Sequence, residues 1–160
     1  KKVSNAVWRF KSGEQTDLFV KLFSIAASRI RAIQENRHRA VLVPVPASTR
    51  EKHRTRYEAF CRKLSAEMGV ADGYGAITVA YDRAQYKGTH GNGDRTANLE
   101  FHPEYFKDKC VLLVDEVLTT GATFLQLRRK LIAHGARFVI GMFLAKTIAF
   151  EDERKAEEGG

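Results

Sequence analysis

The chain has 160 residues, of which 44% are hydrophobic and 29% charged, with a formal net charge of +8. That length and apolar fraction suit one domain with a real core, since a domain of about 150 residues buries roughly 70% of the surface its unfolded chain exposes. No apolar run approaches the roughly 20 residues that span a bilayer, and the first residues lack the apolar core of a signal peptide, so a soluble cytoplasmic protein with no membrane partner is predicted. The charge is uneven: residues 1 to 63 hold 15 Lys and Arg against 5 Asp and Glu, and the remainder 12 against 14. Such a basic half attracts polyanions or serves as a solvated surface. No interleaving of aromatic and basic residues accompanies it, so nucleic acid is a candidate partner that is not favoured. The two cysteines, Cys61 and Cys110, form no Cys-x-x-Cys pair, and the five histidines make no ligand pair, which argues against a zinc site.

In chain order, Ala6, Val7, Trp8 and Phe10 predict a short strand or helix packed on the body and broken at Gly13. Thr16 reads as the N-cap of a helix reaching about Glu35, with Phe19, Leu22, Phe23, Ala26, Ile30 and Ile33 as its apolar stripe. Val41 to Pro46 is a near-continuous apolar run stopped by proline, as expected of a buried parallel strand. The loop from Pro46 to Arg54 carries Ser48, Thr49, Arg50, Lys52, His53 and Arg54, a density of donors suited to a pyrophosphate. Thr55 and Glu58 have capping-box spacing, which predicts a helix starting there and burying Tyr57, Phe60, Cys61, Leu64 and Met68.

Ala76 to Tyr81 alternates weakly and is predicted as a strand. Arg83 to Asn98 is polar and punctuated by Gly88, Gly91 and Gly93 beside Lys87, His90 and Arg95; it reads as a lid over phosphates or as ordinary surface loop. Gly91-Asn92-Gly93 begins like a dinucleotide fingerprint, but Thr96 stands where the third glycine belongs.

The stretch from Cys110 to Thr123 carries the chemistry. Val111-Leu112-Leu113-Val114 predicts a buried strand, Asp115-Glu116 follows, and Thr119-Thr120-Gly121-Ala122-Thr123 falls at a strand-to-helix junction. Free backbone N–H groups at a helix start, threonine hydroxyls and a glycine that permits close approach make an anion site. Two carboxylates beside such a site would repel a phosphate unless they contact another part of the ligand, and a sugar diol fits that need. Beyond it, Phe124, Leu127, Leu131 and Ile132 predict the buried face of a helix, with Arg128, Arg129 and Lys130 toward its C-terminus and Gly135 as its cap. Arg137 to Lys146 reads as the last core strand, and the acidic residues from Glu151 as a frayed tail, dividing the chain into a domain at 1–150 and a tail at 151–160.

The central stretch resembles the phosphoribosyl pyrophosphate (PRPP) motif of type I phosphoribosyltransferases. Phe10-Lys11-Ser12-Gly13, Val43-Pro44-Val45-Pro46 followed by basic residues, and Arg95-Thr96-Ala97-Asn98 extend the likeness to the ComF-like branch of that superfamily. The resemblance implies a single-domain α/β fold with a mostly parallel central sheet flanked by helices, and residues 1–15 as a hood on the acceptor side. It implies transfer of phosphoribosyl from PRPP to a nitrogen nucleophile, a nucleobase or amine, with release of pyrophosphate. Asp115 and Glu116 would be catalytic and face the ribose hydroxyls, with an indirect contact to Mg²⁺. Thr119, Thr120, Gly121, Ala122 and Thr123 would hold the 5-phosphate; Ala47, Ser48, Thr49 and Arg50 the pyrophosphate; Lys87, His90 and Arg95 would belong to the lid. A homodimer is left open. The alternative is a catalytically silent PRPP- or nucleotide-binding protein, or an accessory that handles DNA. The sequence departs from the branch in having Arg56-Tyr57-Glu58 where Arg-Gly-Phe-Asn is usual and Glu116 where aspartate is common. Thr119 occupies a place where purine-salvage relatives often carry a basic aspartate, so a 6-oxopurine acceptor is not expected.

Overall fold

The computed structural model describes residues 2–82, 94–118 and 121–146. Its elements are α1 (Lys2–Lys11), α2 (Thr16–Ser28), α3 (Arg31–Asn36), β1 (Ala40–Pro44), α4 (Arg50–Met68), β2 (Ala71–Asp72), β3 (Ile77–Val79), β4 (Leu99–Phe101), β5 (Cys110–Leu118), α5 (Ala122–Ala133) and β6 (Phe138–Lys146). The expected strands at Val41 and Val111 form β1 and β5, which lie side by side and parallel from Ala40↔Cys110 to Pro44↔Val114. The four-stranded sheet has the order β2-β1-β5-β6, with every neighbouring pair parallel. The protein is a small α/β domain with a parallel central sheet flanked by helices.

Alternation along the central strands divides the core. Ala40, Leu42, Cys110, Leu112 and Val114 face one layer, with Phe10, Phe19, Phe23, Tyr57, Phe60 and Leu64 of α1, α2 and α4. Val41, Val43, Val111 and Leu113 face the other, with Leu127 and Leu131 of α5 and Ile77 of β3. Strands covered on both faces need continuous apolar sequence, which is why these two runs do not alternate with polar residues. Among the described residues no helix is long and apolar enough to cross a membrane.

Several boundaries differ from expectation. The helix predicted from Thr16 to Glu35 is two helices, broken where Ile30 turns extended at φ −97°, ψ 107°. Gln34 closes the gap by donating from Nε2 to the carbonyl of Ala27, and the turn sends Ile33 into the core at 0% exposure. Thr16 is not the N-cap; Gln15 holds that place at φ 55°, while the Thr16 hydroxyl donates to the Gly13 carbonyl. The buried stripe of α2 is Phe19, Val20, Phe23 and Ala27, rotated from the expected one so that Leu22 and Ala26 are exposed. Ile132 of α5 is likewise exposed.

The start of α4 moves most. Thr49, extended at φ −130°, accepts the Lys52 N–H on its hydroxyl and caps the helix six residues before the expected Thr55. The predicted basic loop therefore shrinks, and Lys52, His53 and Arg54 ride on the helix. The strand expected at Ala76–Tyr81 is the shorter β3, which pairs antiparallel with β4 outside the main sheet. The short β2 had no counterpart in the sequence reading. The acidic tail from Glu151 lies outside the described residues.

Candidate functional site

The chain leaves β1 toward β2 on one side of the sheet and returns through β5 toward β6 on the other, so the strand order reverses between β1 and β5. Open α/β sheets bind ligands in the crevice beyond the strand ends at such a switch point. Because β1 and β5 are parallel, the segments that follow them emerge at the same edge. Val45 donates its N–H to the Val114 carbonyl at 2.8 Å and continues the pairing by one residue. There β1's partnership ends, while β5 runs on to Leu118.

After β1 come Ala47, buried, and Ser48 and Thr49, half-buried, leading to exposed Arg50 at the first position of α4. The helix start is already served by an acid: the Arg50 N–H donates to Asp82 Oδ1 at 3.1 Å. The Arg50 guanidinium turns aside to the carbonyls of Val79, at 2.7 Å from Nε, and Ala80, tying α4 to the end of β3.

After β5, Gly121 is the N-cap of α5 at φ 81°, in the left-handed region where a glycine is favoured, and Ala122 and Thr123 open the helix half-buried. Thr119 and Thr120 lie outside the described residues, as do Lys87 and His90 of the expected lid. The described end of that lid, from Asp94, is a packed turn. Thr96 is buried and bonds Asp94 through both its N–H and its hydroxyl, Asn98 is buried and donates to the Tyr81 carbonyl, and the N–H of exposed Arg95 donates to Gln126 Oε1 of α5.

Asp115 and Glu116 sit on the stretch of β5 that has lost β1, and α4 fills the space. Tyr57, fully buried, places its hydroxyl 3.1 Å from Asp115 Oδ1 and 3.2 Å from Glu116 Oε2. Arg56 brings Nη1 to 3.3 Å from Glu116 Oε2, and Lys11 brings Nζ to 3.3 Å from Oε1. Lys11 reaches because its neighbour Phe10 is locked among aromatic rings, edge-on to Phe60 at 4.9 Å and to Phe19 at 5.3 Å. Asp115 also accepts the Glu116 N–H at 2.8 Å.

The two acids share one environment and divide their ionisation. Burial, then the hydrogen bond and charge of Glu116, push the Asp115 carboxyl well above the usual carboxylate range. Burial works the same way on Glu116 but is outweighed by the hydrogen bond to Asp115 and the charges of Arg56 and Lys11, which leave it below that range. The two shifts run in opposite directions, so Glu116 is the acid that favours the charge and Asp115 the one that keeps its proton longer. Asp115 is half-buried and within reach of a ligand; Glu116, 8% exposed, is closed behind its two cations.

The motif supplied the acids, but Tyr57, Arg56 and Lys11 were not singled out for this site. The apolar stripe of α4 marked Tyr57 as core and carried no sign of what its hydroxyl meets. Among the described residues no group of three or more His, Cys, Asp or Glu side chains is arranged to hold a metal ion. With Lys11 and Arg56 paired to Glu116, this pair does not fit a directly bound Mg²⁺.

No protein-family model matches the chain, and no curated protein matches its sequence. Among solved structures it is similar to the UMP synthase of Leishmania donovani, at 14% sequence identity and a TM-score of 0.42, over 86% of this chain and 29% of that one. The chain thus spans less than a third of that protein's length, and a likeness this distant bears on neither activity nor substrate.

Proposed function

We propose that the chain is a PRPP-dependent phosphoribosyltransferase that transfers phosphoribosyl to a nitrogen nucleophile and releases pyrophosphate. The supporting observation is the switch point between β1 and β5, where a helix start follows each strand at one edge, with two carboxyls between. In this reading the segment Thr119, Thr120, Gly121, Ala122 and Thr123 receives the 5-phosphate, and Ala47 to Arg50 receives the pyrophosphate after Asp82 withdraws. Asp115 meets the ribose hydroxyls. The acceptor nitrogen forms its bond to ribose C1 as the bond from C1 to the pyrophosphate oxygen breaks, and the leaving group keeps the electron pair. The demands on the protein are positioning, charge neutralisation and exclusion of water, with Lys87, His90 and Arg95 serving as lid residues. Mg²⁺ belongs to this proposal as a counter-ion of the pyrophosphate, without a carboxylate ligand of its own.

A second reading, binding without turnover, is favoured by one observation: Glu116 is engaged by Lys11 and Arg56 rather than open to a sugar. Pyrophosphate release from PRPP and Mg²⁺, screened against nucleobases and simple amines, distinguishes the two. Release with any acceptor supports the transferase; calorimetric PRPP binding with no release supports the silent binder; no PRPP binding overturns both.

A further inference from the structure

A cavity of about 330 Å³ lies between the start of α4, the turn before β3 and the β3–β4 pair, beside the segment proposed to receive the pyrophosphate. Its lining includes Arg50, His53, Tyr74, Thr78 and Glu100. His53 is 5% exposed. The Ala47 N–H is directed at Nδ1 over 3.4 Å, which makes that nitrogen the acceptor and leaves the ring proton on Nε2. Nε2 is buried and has no hydrogen-bond partner. A buried donor without an acceptor is uncommon and costs free energy that a ligand acceptor would recover. Burial and the nearby Arg56 charge hold the ring neutral, lowering its pKa to about 4, so the group is a neutral donor across the physiological range.

The rest of the lining narrows the ligand. Glu100, exposed on β4, has no side-chain hydrogen bond or ion pair among the described residues and stands as a free acceptor at the rim. The Arg50 guanidinium is committed to the carbonyls of Val79 and Ala80. Its charge is not cancelled by those neutral carbonyls, so the Arg50 guanidinium and the Glu100 carboxylate offset each other around the cavity, which favours an uncharged ligand over an anion. Tyr74 stacks on His53 with ring centroids 5.1 Å apart and planes 11° apart, presenting flat aromatic surface. The volume suits one small ring with its water.

We propose that this cavity binds an uncharged planar nitrogen heterocycle, of pyrimidine size, whose ring acceptor takes the His53 Nε2–H while an adjacent amino group donates to Glu100. The site adjoins the proposed pyrophosphate segment, sharing Arg50 with it, and stands whether or not phosphoribosyl transfer does. His53 also touches Tyr57 one turn along α4, with ring centroids 5.4 Å apart, so an occupant would bear on the residue that holds the two acids.

Calorimetry of the full chain with cytosine, at millimolar concentrations and without PRPP, tests the proposal. Saturable binding is expected, accompanied by a shift of the His53 ring nitrogens in NMR spectra. His53→Phe keeps a ring against Tyr74 and removes the donor; Glu100→Leu, on the exposed rim, removes the acceptor. Each should weaken binding about tenfold, the size expected for one hydrogen bond. Cytosine bearing two methyls on its amino group should bind as weakly as it does to the Glu100 variant. Should His53→Phe fail to fold, the Glu100 variant and the His53 resonances decide. No binding, binding indifferent to Glu100→Leu without movement of the His53 resonances, or displacement of cytosine by pyrophosphate would each overturn the assignment.

Discussion

The Tyr57 hydroxyl stands 3.1 Å from Asp115 Oδ1, across the point where β5 outruns its neighbour β1. A fully buried phenol on α4 thus serves the first acid of the sheet edge and, at 3.2 Å, the second as well. Tyr57→Phe keeps the ring in its aromatic cluster and removes the hydroxyl from both carboxyls. The variant should lose about 1–3 kcal/mol of stability, the cost of leaving buried polar groups short of a partner. Urea denaturation measures it, and an unchanged midpoint would show that the hydroxyl contributes nothing to the pair.

Asp115 gives stability a pH dependence of definite sign. Its folded-state pKa is raised, so the folded protein binds the proton more tightly than the unfolded chain. That contribution is complete below the unfolded value, about 4, and is lost as pH rises toward the raised folded value. Asp115→Asn should remove this decline, which is read by comparing denaturation midpoints of the two proteins from mildly acidic to mildly basic pH. Parallel profiles would contradict the assignment of the proton to Asp115.

His53 acts in the opposite direction. With its pKa lowered to about 4 by burial and then by Arg56, the folded protein resists a proton that the unfolded chain accepts near 6.5. Stability should fall as pH drops below 6.5 and level off below about 4, by about 3 kcal/mol in total. His53→Phe should lack this acid step. Titrating the His53 resonances by NMR provides an independent check, since the ring should stay neutral until the pH nears 4.

Asp82 occupies the N-terminus of α4, where the proposed function needs room for pyrophosphate. Removing that carboxylate should relieve like-charge competition, and Asp82→Ala should bind pyrophosphate several-fold more tightly than the parent, a gain on the order of 1 kcal/mol. Calorimetry at one salt concentration makes the comparison. Weaker binding in the variant would place pyrophosphate elsewhere.

Gly121 and the acid pair separate anion capture from sugar recognition. Gly121→Val forces a branched residue to φ 81° and blocks close approach, so ribose 5-phosphate and PRPP should both bind more weakly. Changing Asp115 to Asn and Glu116 to Gln should instead weaken PRPP while sulfate binds as before or more tightly. If that double variant binds PRPP as well as the parent does, the acids are not ribose ligands.

Much of this architecture was legible in the residues themselves. Val41 to Pro46 and Val111 to Val114 carry no alternation because both faces of the sheet are covered, and that absence marked them as buried strands, the first of them parallel. Gly121 was placed at a strand-to-helix junction, where it caps α5, and the spacing of Tyr57, Phe60, Cys61 and Leu64 marked the buried face of α4. Local chemistry misled where two signals competed: Thr49 and Thr55 both precede good helical sequence, and the earlier cap prevailed, carrying His53 from an expected basic loop into a buried wall. What only the tertiary structure decided is the company each side chain keeps. Tyr57 lies 58 positions before Asp115, and Arg56 lies 60 before Glu116. Periodicity reports that a face is buried but not what lies opposite. The meeting of a phenol, a guanidinium and an ammonium at two carboxyls depends on how α1 and α4 pack across a sheet edge that β1 leaves open.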